Sequence, residues 1–150
     1  MEDYLKKIRE KVGHAPILVP HSVVLLFNEK NEILLEERLD DGYFDFPGGG
    51  IDLGETAEDA ASRELLEETG LIADELEFFK LYTGEITHYI YANGDEIYGV
   101  DSVYICRKYH GELKPQDDEV KALKFYSLNK LPEKIWIRNT QILKDYLNKK

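Results

Sequence analysis

A mixed α/β architecture is predicted by three features of the sequence. Segments near both ends carry apolar stripes at helical spacing, and a third run, Thr56 to Thr69, is bounded like a capped helix. β-rich apolar runs fill much of the space between them, two of them separated by an Asn93-Gly94 pair. Several strands and two or three helices in mixed order pack as layers around one core. The 150 residues fit a single domain, 1–150, with residues 1–14 as a helical extension. A chain of this length buries about 68–70% of its unfolded surface.

Each element has its own signal. Residues 2–11 are helix-prone, with Leu5, Ile8 and Val12 along one side, and Gly13 and Pro16 end the helix. The run ILVPHSVVLLFN is β-rich and interrupted by Pro20; a turn over Asn28–Asn31 leads to the strand EILLEER. Asp40-Asp41-Gly42 makes a loop, and Tyr43–Phe46 lead into a glycine run. Thr56 is the expected N-cap of the next helix, with Asp59 three residues on, and Gly70 its C′ stop. Strands are expected near 75–82, 85–91 and 96–107, with Asn93-Gly94 forming a type I′ hairpin turn. Tyr89, Tyr91, Tyr98 and Tyr104 fall on these strands, where aromatics mostly cover a sheet face. The alternative is that one or two of them stack on a substrate base. After the acidic loop QDDEV come the strand ALKFYSL and a last amphipathic helix over 135–148, with Ile135, Ile142, Leu143, Tyr146 and Leu147 inward.

Composition narrows the function classes. An apolar share of 43% with 33% charged residues is that of a globular protein. The net charge is −11, with seven acids inside residues 49–71, and such a surface repels long nucleic acid. A duplex-binding role is therefore disfavoured, whereas nucleotides that arrive with their own Mg²⁺ are not. The lone Cys106 lies in an alternating apolar segment and is expected to be a core thiol, which suits a reducing cytosol. No signal-peptide core is present and no apolar run approaches about 18 residues, so the expected location is cytoplasmic.

The chemistry concentrates in GGIDLGETAEDAASRELLEETGL, residues 49–71. Glu64, Glu67 and Glu68 share one helix face because positions three and four apart lie side by side. One pair of carboxylates about 4 Å apart costs roughly 4 kcal/mol at an effective dielectric near 20. Whole domains are stable by only about 5–15 kcal/mol. The cluster must therefore splay into water, protonate, or hold a cation, and all-oxygen ligands favour Mg²⁺ or Mn²⁺. Phe46-Pro47-Gly48-Gly49-Gly50 supplies backbone that approaches a ligand closely, and Gly48 is the most plausible source of a carbonyl ligand. Arg63 either pairs with a carboxylate or clamps a phosphate bidentately.

The spacing G-x5-E-x7-R-E-U-x-E-E-x-G-U, with U aliphatic, is filled by Gly49, Glu55, Arg63, Glu64, Leu65, Glu67, Glu68, Gly70 and Leu71. This segment resembles the signature of the Nudix hydrolases, and the likeness extends through roughly residues 17 to 135. The resemblance implies an α/β/α sandwich with a mixed sheet, and a metal-dependent hydrolase that cleaves the pyrophosphate of a nucleoside diphosphate linked to another moiety. It assigns the metal to Glu64, Glu67 and Glu68, with Glu64 or a loop acid as base. It places Arg63 behind these carboxylates, with Glu55 as partner. Among the loop acids Glu112, Asp117, Asp118 and Glu119, Glu119 is the first choice for catalysis from its place just before a strand. Arg38 and Phe44 are the candidates for substrate contact, Phe44 standing where many relatives carry Trp.

ADP-ribose or another nucleotide sugar leads the expected substrates, ahead of nucleoside triphosphates and then of dinucleoside polyphosphates or a triphosphorylated RNA end. The rival reading is a catalytically silent module for ligand sensing or protein binding. Such a module is expected to have lost a metal carboxylate, and this chain retains all three. A homodimer through the N-terminal helix or the hairpin around Asn93 is compatible with the sequence.

Overall fold

Alternation along one strand organises the molecule, whose computed structural model describes residues 2–115 and 120–149. In β1 (Ile17–Leu26), Val23 and Leu25 enter one buried cluster and Val24 and Leu26 the other. A strand covered on both faces reads as a continuous apolar run rather than as an alternating one. The first cluster is closed by Ile142, Leu143 and Tyr146 of one helix, the second by Ala61 and Leu65 of another. Helices thus cover opposite faces of the strands, as expected of an α/β/α sandwich.

The strands of the described residues sort into two sheets. β1 pairs antiparallel with β4 (Gly48–Gly50) and parallel with β7 (Glu96–Gly111). β5 (Leu71–Tyr82) and the short β6 (His88–Ile90) both pair antiparallel with β7, against different stretches of it. The second sheet is antiparallel and has three strands, β2 (Ile33–Arg38) between β3 (Phe44–Asp45) and β8 (Val120–Tyr126). Its strands contribute Ile33 and Leu35 to one buried cluster and Leu34 to the other.

Three α-helices stand among the described residues. α1 (Glu2–Val12) is fastened at its C-terminal end by Arg9, which donates to the carbonyls of Gly13, Ala15 and Glu96 at 3.0, 2.6 and 2.8 Å. α2 (Ala57–Thr69) begins at Thr56, whose hydroxyl accepts the Asp59 N–H at 3.0 Å, and ends on left-handed Gly70 at φ 79°. α3 (Ile137–Asn148) follows Trp136. No helix among the described residues is long and apolar enough to cross a membrane.

Several boundaries differ from the sequence reading, for identifiable reasons. Pro20 does not interrupt β1: it stands opposite Val100 in the parallel ladder, and its carbonyl accepts from Ile51 N at 3.1 Å. Its missing N–H faces the side where β4 has ended, so the ladder to β7 loses nothing. β5 starts at Leu71 rather than near 75, and β7 continues to Gly111 because the two pair along that whole length. Residues 85–87 form a single 3-10 turn before β6, stabilised by the Thr87 hydroxyl, which donates to the carbonyls of Gly84 and Gly99. The hairpin is not type I′, which needs positive φ at both central residues. Only Gly94 has it, and the five-residue loop closes through Tyr91 N to Asp95 O at 2.8 Å. Leu147 and Val12 are exposed, one step off the stripes that pack inward, and Ile135 precedes α3 rather than belonging to it. Cys106 is fully buried as expected, and burial pushes its thiol pKa up to about 11.

Candidate active site

The glycine run and α2 meet at the edge of β1. The Ser22 hydroxyl donates to the Ala57 carbonyl at 2.6 Å, tying the start of α2 to the strand that also holds β4. Ala60 and Ala61 are fully buried there, and such small side chains let helix and sheet approach closely. At Gly49 the approach leaves no room at all: an added Cβ would lie 2.5 Å from the Glu64 carboxyl carbon. At Gly48 it would lie 2.4 Å from the Ser22 carbonyl oxygen. Gly49→Ala can be absorbed by swinging the Glu64 carboxylate aside, so little stability is at stake. Displacing that group by about 1 Å is expected to lower kcat about 100-fold, with an unchanged melting temperature. Steady-state kinetics beside a thermal melt checks both.

Arg63 is the hub of the acidic face. Its Nε and Nη2 donate to the two oxygens of Glu55 at 2.7 and 3.0 Å, the fork geometry that suits a guanidinium to a carboxylate. Nη1 donates to Glu64 at 3.0 Å and Glu67 at 3.2 Å, and Nη2 also donates to the Gly50 carbonyl at 2.9 Å. Glu55 accepts the Asp52 N–H at 3.0 Å, closing the loop before α2. The Arg63 guanidinium holds the Glu55 carboxyl below the usual range. One cation thus links the glycine loop, the loop before α2 and two acids of the cluster.

Glu68 is oriented differently, by the Gly48 N–H, which donates to its Oε2 at 2.7 Å. Its pKa is raised well above the ordinary glutamate value, first by burial and then by the charges of Glu36 and Glu64, with Asp45 adding to them. Glu64 is also raised, chiefly by burial, with Arg63 pulling the other way. The sequence reading put the strain in mutual repulsion; burial is the larger cause, because the cluster sits against the sheet rather than splayed into water. Only Glu67 is largely exposed, its side chain 55% accessible.

A raised carboxyl pKa means that the folded chain binds more protons than the unfolded chain across that window. The associated stability is present below the ordinary glutamate pKa and is lost as pH rises through the raised values. Glu55, with its lowered pKa, acts in the opposite sense. The difference between wild type and Glu68→Gln isolates the effect. Metal-free melting temperatures across a pH series are expected to show the variant gaining on wild type as pH rises above the ordinary glutamate range.

These groups fit a divalent cation. Glu64 and Glu67 gather around the single Arg63 guanidinium, with Glu36 and Asp45 among the charges acting on Glu68. Among the described residues no three acidic, imidazole or thiol groups already stand together as ion ligands. Arg63 Nη1 bonds both Glu64 and Glu67 while the Gly48 N–H bonds Glu68, so a bound cation would have to exchange with these contacts.

Arg38, at the end of β2, forks onto Asp40 at 3.1 and 2.8 Å and lies 3.9 Å from Asp45. Phe44 packs edge-on against Tyr126 at the margin of the core, ring centroids 5.7 Å apart. Asp117, Asp118 and Glu119 fall outside the described residues; Glu112 is exposed beyond the end of β7.

Sequence reasoning missed a buried polar network on the other side of Glu68. Arg138 donates to Asp101 at 3.0 Å and to Asp45 at 3.1 Å; Asn139 donates to Asp45 at 2.7 Å; His21 bonds Asp101 at 2.8 Å. Glu36, on β2, is only 5% exposed. Its one legible signal was an acid following three apolar residues in a strand, where an inward-pointing charge is costly.

Residues 18–146 match the NUDIX domain. The chain is 34% identical over 125 residues to the ADP-ribose pyrophosphatase of Methanocaldococcus jannaschii, covering 81% of this chain and 69% of that protein. It is 50% identical over 48 residues to the RNA pyrophosphohydrolase of Wolbachia pipientis subsp. Culex pipiens, covering 31% of this chain and 30% of that protein. Its fold is similar to the crystal structure of the MutT NUDIX hydrolase from Burkholderia pseudomallei, with a TM-score of 0.73 and 25% identity over 85% of this chain and 97% of that one. With a match across most of its length and the Arg63-centred glutamate face at its heart, the chain belongs to the Nudix hydrolase family.

Proposed function

We propose that this chain hydrolyses the pyrophosphate bond of a nucleoside diphosphate linked to another moiety, with ADP-ribose or another nucleotide sugar as the leading substrate. The observation that carries this reading is the acidic face itself: Glu64, Glu67 and Glu68 within reach of a glycine backbone and organised by one arginine. The similarity to a protein named ADP-ribose pyrophosphatase, over 81% of this chain, supports the choice of substrate. Nucleoside triphosphates come second. The similarity to an RNA pyrophosphohydrolase spans only 31% of this chain, and a net charge of −11 disfavours an RNA end or a duplex.

Phosphoanhydrides resist hydrolysis because their oxygens repel an incoming nucleophile. Glu64, Glu67, Glu68 and the Gly48 carbonyl would hold Mg²⁺ or Mn²⁺, which when bound would supply charge neutralisation and a more acidic water. The protein's own contribution is positional. Arg63 keeps Glu64 and Glu67 on one side, the Gly48 N–H keeps Glu68 aimed at the glycine loop, and Glu55 fixes Arg63 in turn. Glu64 is the proposed base, with Glu119 as the acid that joins from the loop before β8. Arg38 contributes positive charge toward the substrate, and Phe44 backs that side. Because a base must be deprotonated, the rate rises from acidic toward neutral pH.

Liquid chromatography of a nucleotide panel, with Mg²⁺ and with chelator, tests the reading by fixing substrate and cleaved bond together. Release of nucleoside monophosphate from ADP-ribose with Mg²⁺ alone is expected. Absence of metal-dependent turnover across nucleotide sugars, triphosphates and dinucleoside polyphosphates would leave the silent module as the better account.

A further inference from the structure

We propose that a second copy of this chain covers the part of the five-stranded sheet that α2 leaves open, the two copies meeting face to face about a two-fold axis. The ladder registers define the surface. β1 and β7 run in step from Ile17 opposite Ile97 to Leu26 opposite Cys106, so alternate residues of both strands share a face. Val24, Leu26, Tyr104 and Cys106 lie on the side that Ala61 and Leu65 of α2 close. The same alternation puts Leu18, Pro20 and Val100 on that side, past the Ser22 hydroxyl that meets the start of α2. β5 and β6 extend the surface. Phe78 stands opposite Tyr104 with ring centroids 5.6 Å apart, Leu81 opposite Ser102, and Ile90 opposite Glu96.

The two faces of these strands differ over this stretch. On the other side Val19, Ile97 and Val103 are buried. On this side Leu18 is 73% exposed, Phe78 and Ile90 56% each, and Leu81 51%. Four large apolar side chains in solvent, with Pro20 and Val100 between them, form the kind of continuous patch that marks a protein contact. Among the described residues, the charged side chains that these registers put on it are His88 and Glu96, which bond each other at 2.7 Å.

Charge and area point to a like copy as the occupant. Two chains of net charge −11 repel wherever acidic surface meets acidic surface. A face whose charged groups already pair with each other lets them meet without that cost, and interface centres are depleted in charge. A basic partner would find nothing here to neutralise. The molecule exposes 8878 Å². A compact monomer of 17.4 kDa exposes about 7,900 Å². The surplus of about 1,000 Å² is close to the roughly 800 Å² that each partner loses in a standard interface. Under a two-fold axis the patch meets its own image, and sheets pack face to face about 10 Å apart with their side chains interleaved.

Sedimentation equilibrium of the full chain tests the proposal. Wild type is expected at twice its 17.4 kDa, with a melting temperature that rises with protein concentration, as it does for a dissociating dimer. Leu18→Glu combined with Leu81→Glu is expected to raise the dimer dissociation constant at least about tenfold and to flatten that concentration dependence, with the far-UV circular dichroism of wild type. Leu18→Ser, a smaller change, is expected to shift the constant in the same direction and serves where the double variant loses its fold. Leu147→Glu, on an exposed position of α3 at the opposite side of the sheet, is expected to leave the dimer intact. A wild type that stays monomeric throughout the micromolar range would overturn the proposal and leave the face to a different partner. Folded Leu18 and Leu81 variants that pair as tightly as wild type, or an equal loss of pairing in Leu147→Glu, would overturn it too.

Discussion

Replacing Glu68 with Gln is expected to lower kcat on the preferred nucleotide by at least about 10–100-fold while raising the metal-free melting temperature at neutral pH. The two effects share one cause. Glu68 sits against the sheet with Glu36, Glu64 and Asp45 as charged neighbours, and among the described residues the Gly48 N–H offers it a compensating bond. Keeping a charge there without a cation costs stability, which is why its pKa is raised. Gln keeps the shape and still accepts from Gly48, so the substitution removes the cost without opening a cavity. It also removes an anionic ligand. Mg²⁺ at 100 times its dissociation constant stabilises a folded protein by about 2.7 kcal/mol. Wild type is expected to show a comparable gain on adding metal, and Glu68→Gln little of it. Differential scanning calorimetry with and without Mg²⁺ reads both signs at once. A variant less stable than wild type without metal would contradict the burial argument.

The second large effect is expected at Arg63. Arg63→Ala leaves Glu55, Glu64 and Glu67 facing one another without the cation that joins them, and frees the Gly50 carbonyl. The partly exposed guanidinium is screened by water, so the stability loss is about 1 kcal/mol. The positional loss is larger. Residues that orient metal ligands typically cost about 10–100-fold in metal affinity or activity when removed. Arg63→Lys is not expected to rescue, because an ammonium cannot make the fork to Glu55 while also reaching Glu64, Glu67 and Gly50. Titrating Mg²⁺ dependence of the rate for the three proteins checks this. Full activity of the lysine variant would show that charge alone suffices.

What the sequence disclosed follows the range of the interactions involved. α2 was legible to within a residue because its signals are local: Thr56 bonds three residues on, and Gly70 supplies a conformation side chains avoid. The pairing of Arg63 with Glu55, eight residues away, was implied by the family resemblance rather than by the residues alone, which left a phosphate as the alternative. The division into two sheets was not legible, since it depends on β8 choosing β2, with Leu34 opposite Phe125. Neither was the network behind Glu68, where Asp45 and Arg138 are 93 positions apart. Burial as the main cause of the raised carboxyl pKa values also had no local signal, because it depends on how closely the glycine loop approaches the helix. The hairpin departed from type I′ because Asp95 answers to other partners, accepting from His14 at 2.7 Å and facing Arg9 at 3.7 Å.

The account rests on the acidic face of α2 being a cation site, and Mn²⁺ binding followed by electron paramagnetic resonance tests that most directly. Wild type is expected to deplete the free Mn²⁺ signal saturably, and Glu68→Gln to bind at least about tenfold more weakly. Equal depletion by the two proteins would place the metal elsewhere and contradict the assignment of Glu68.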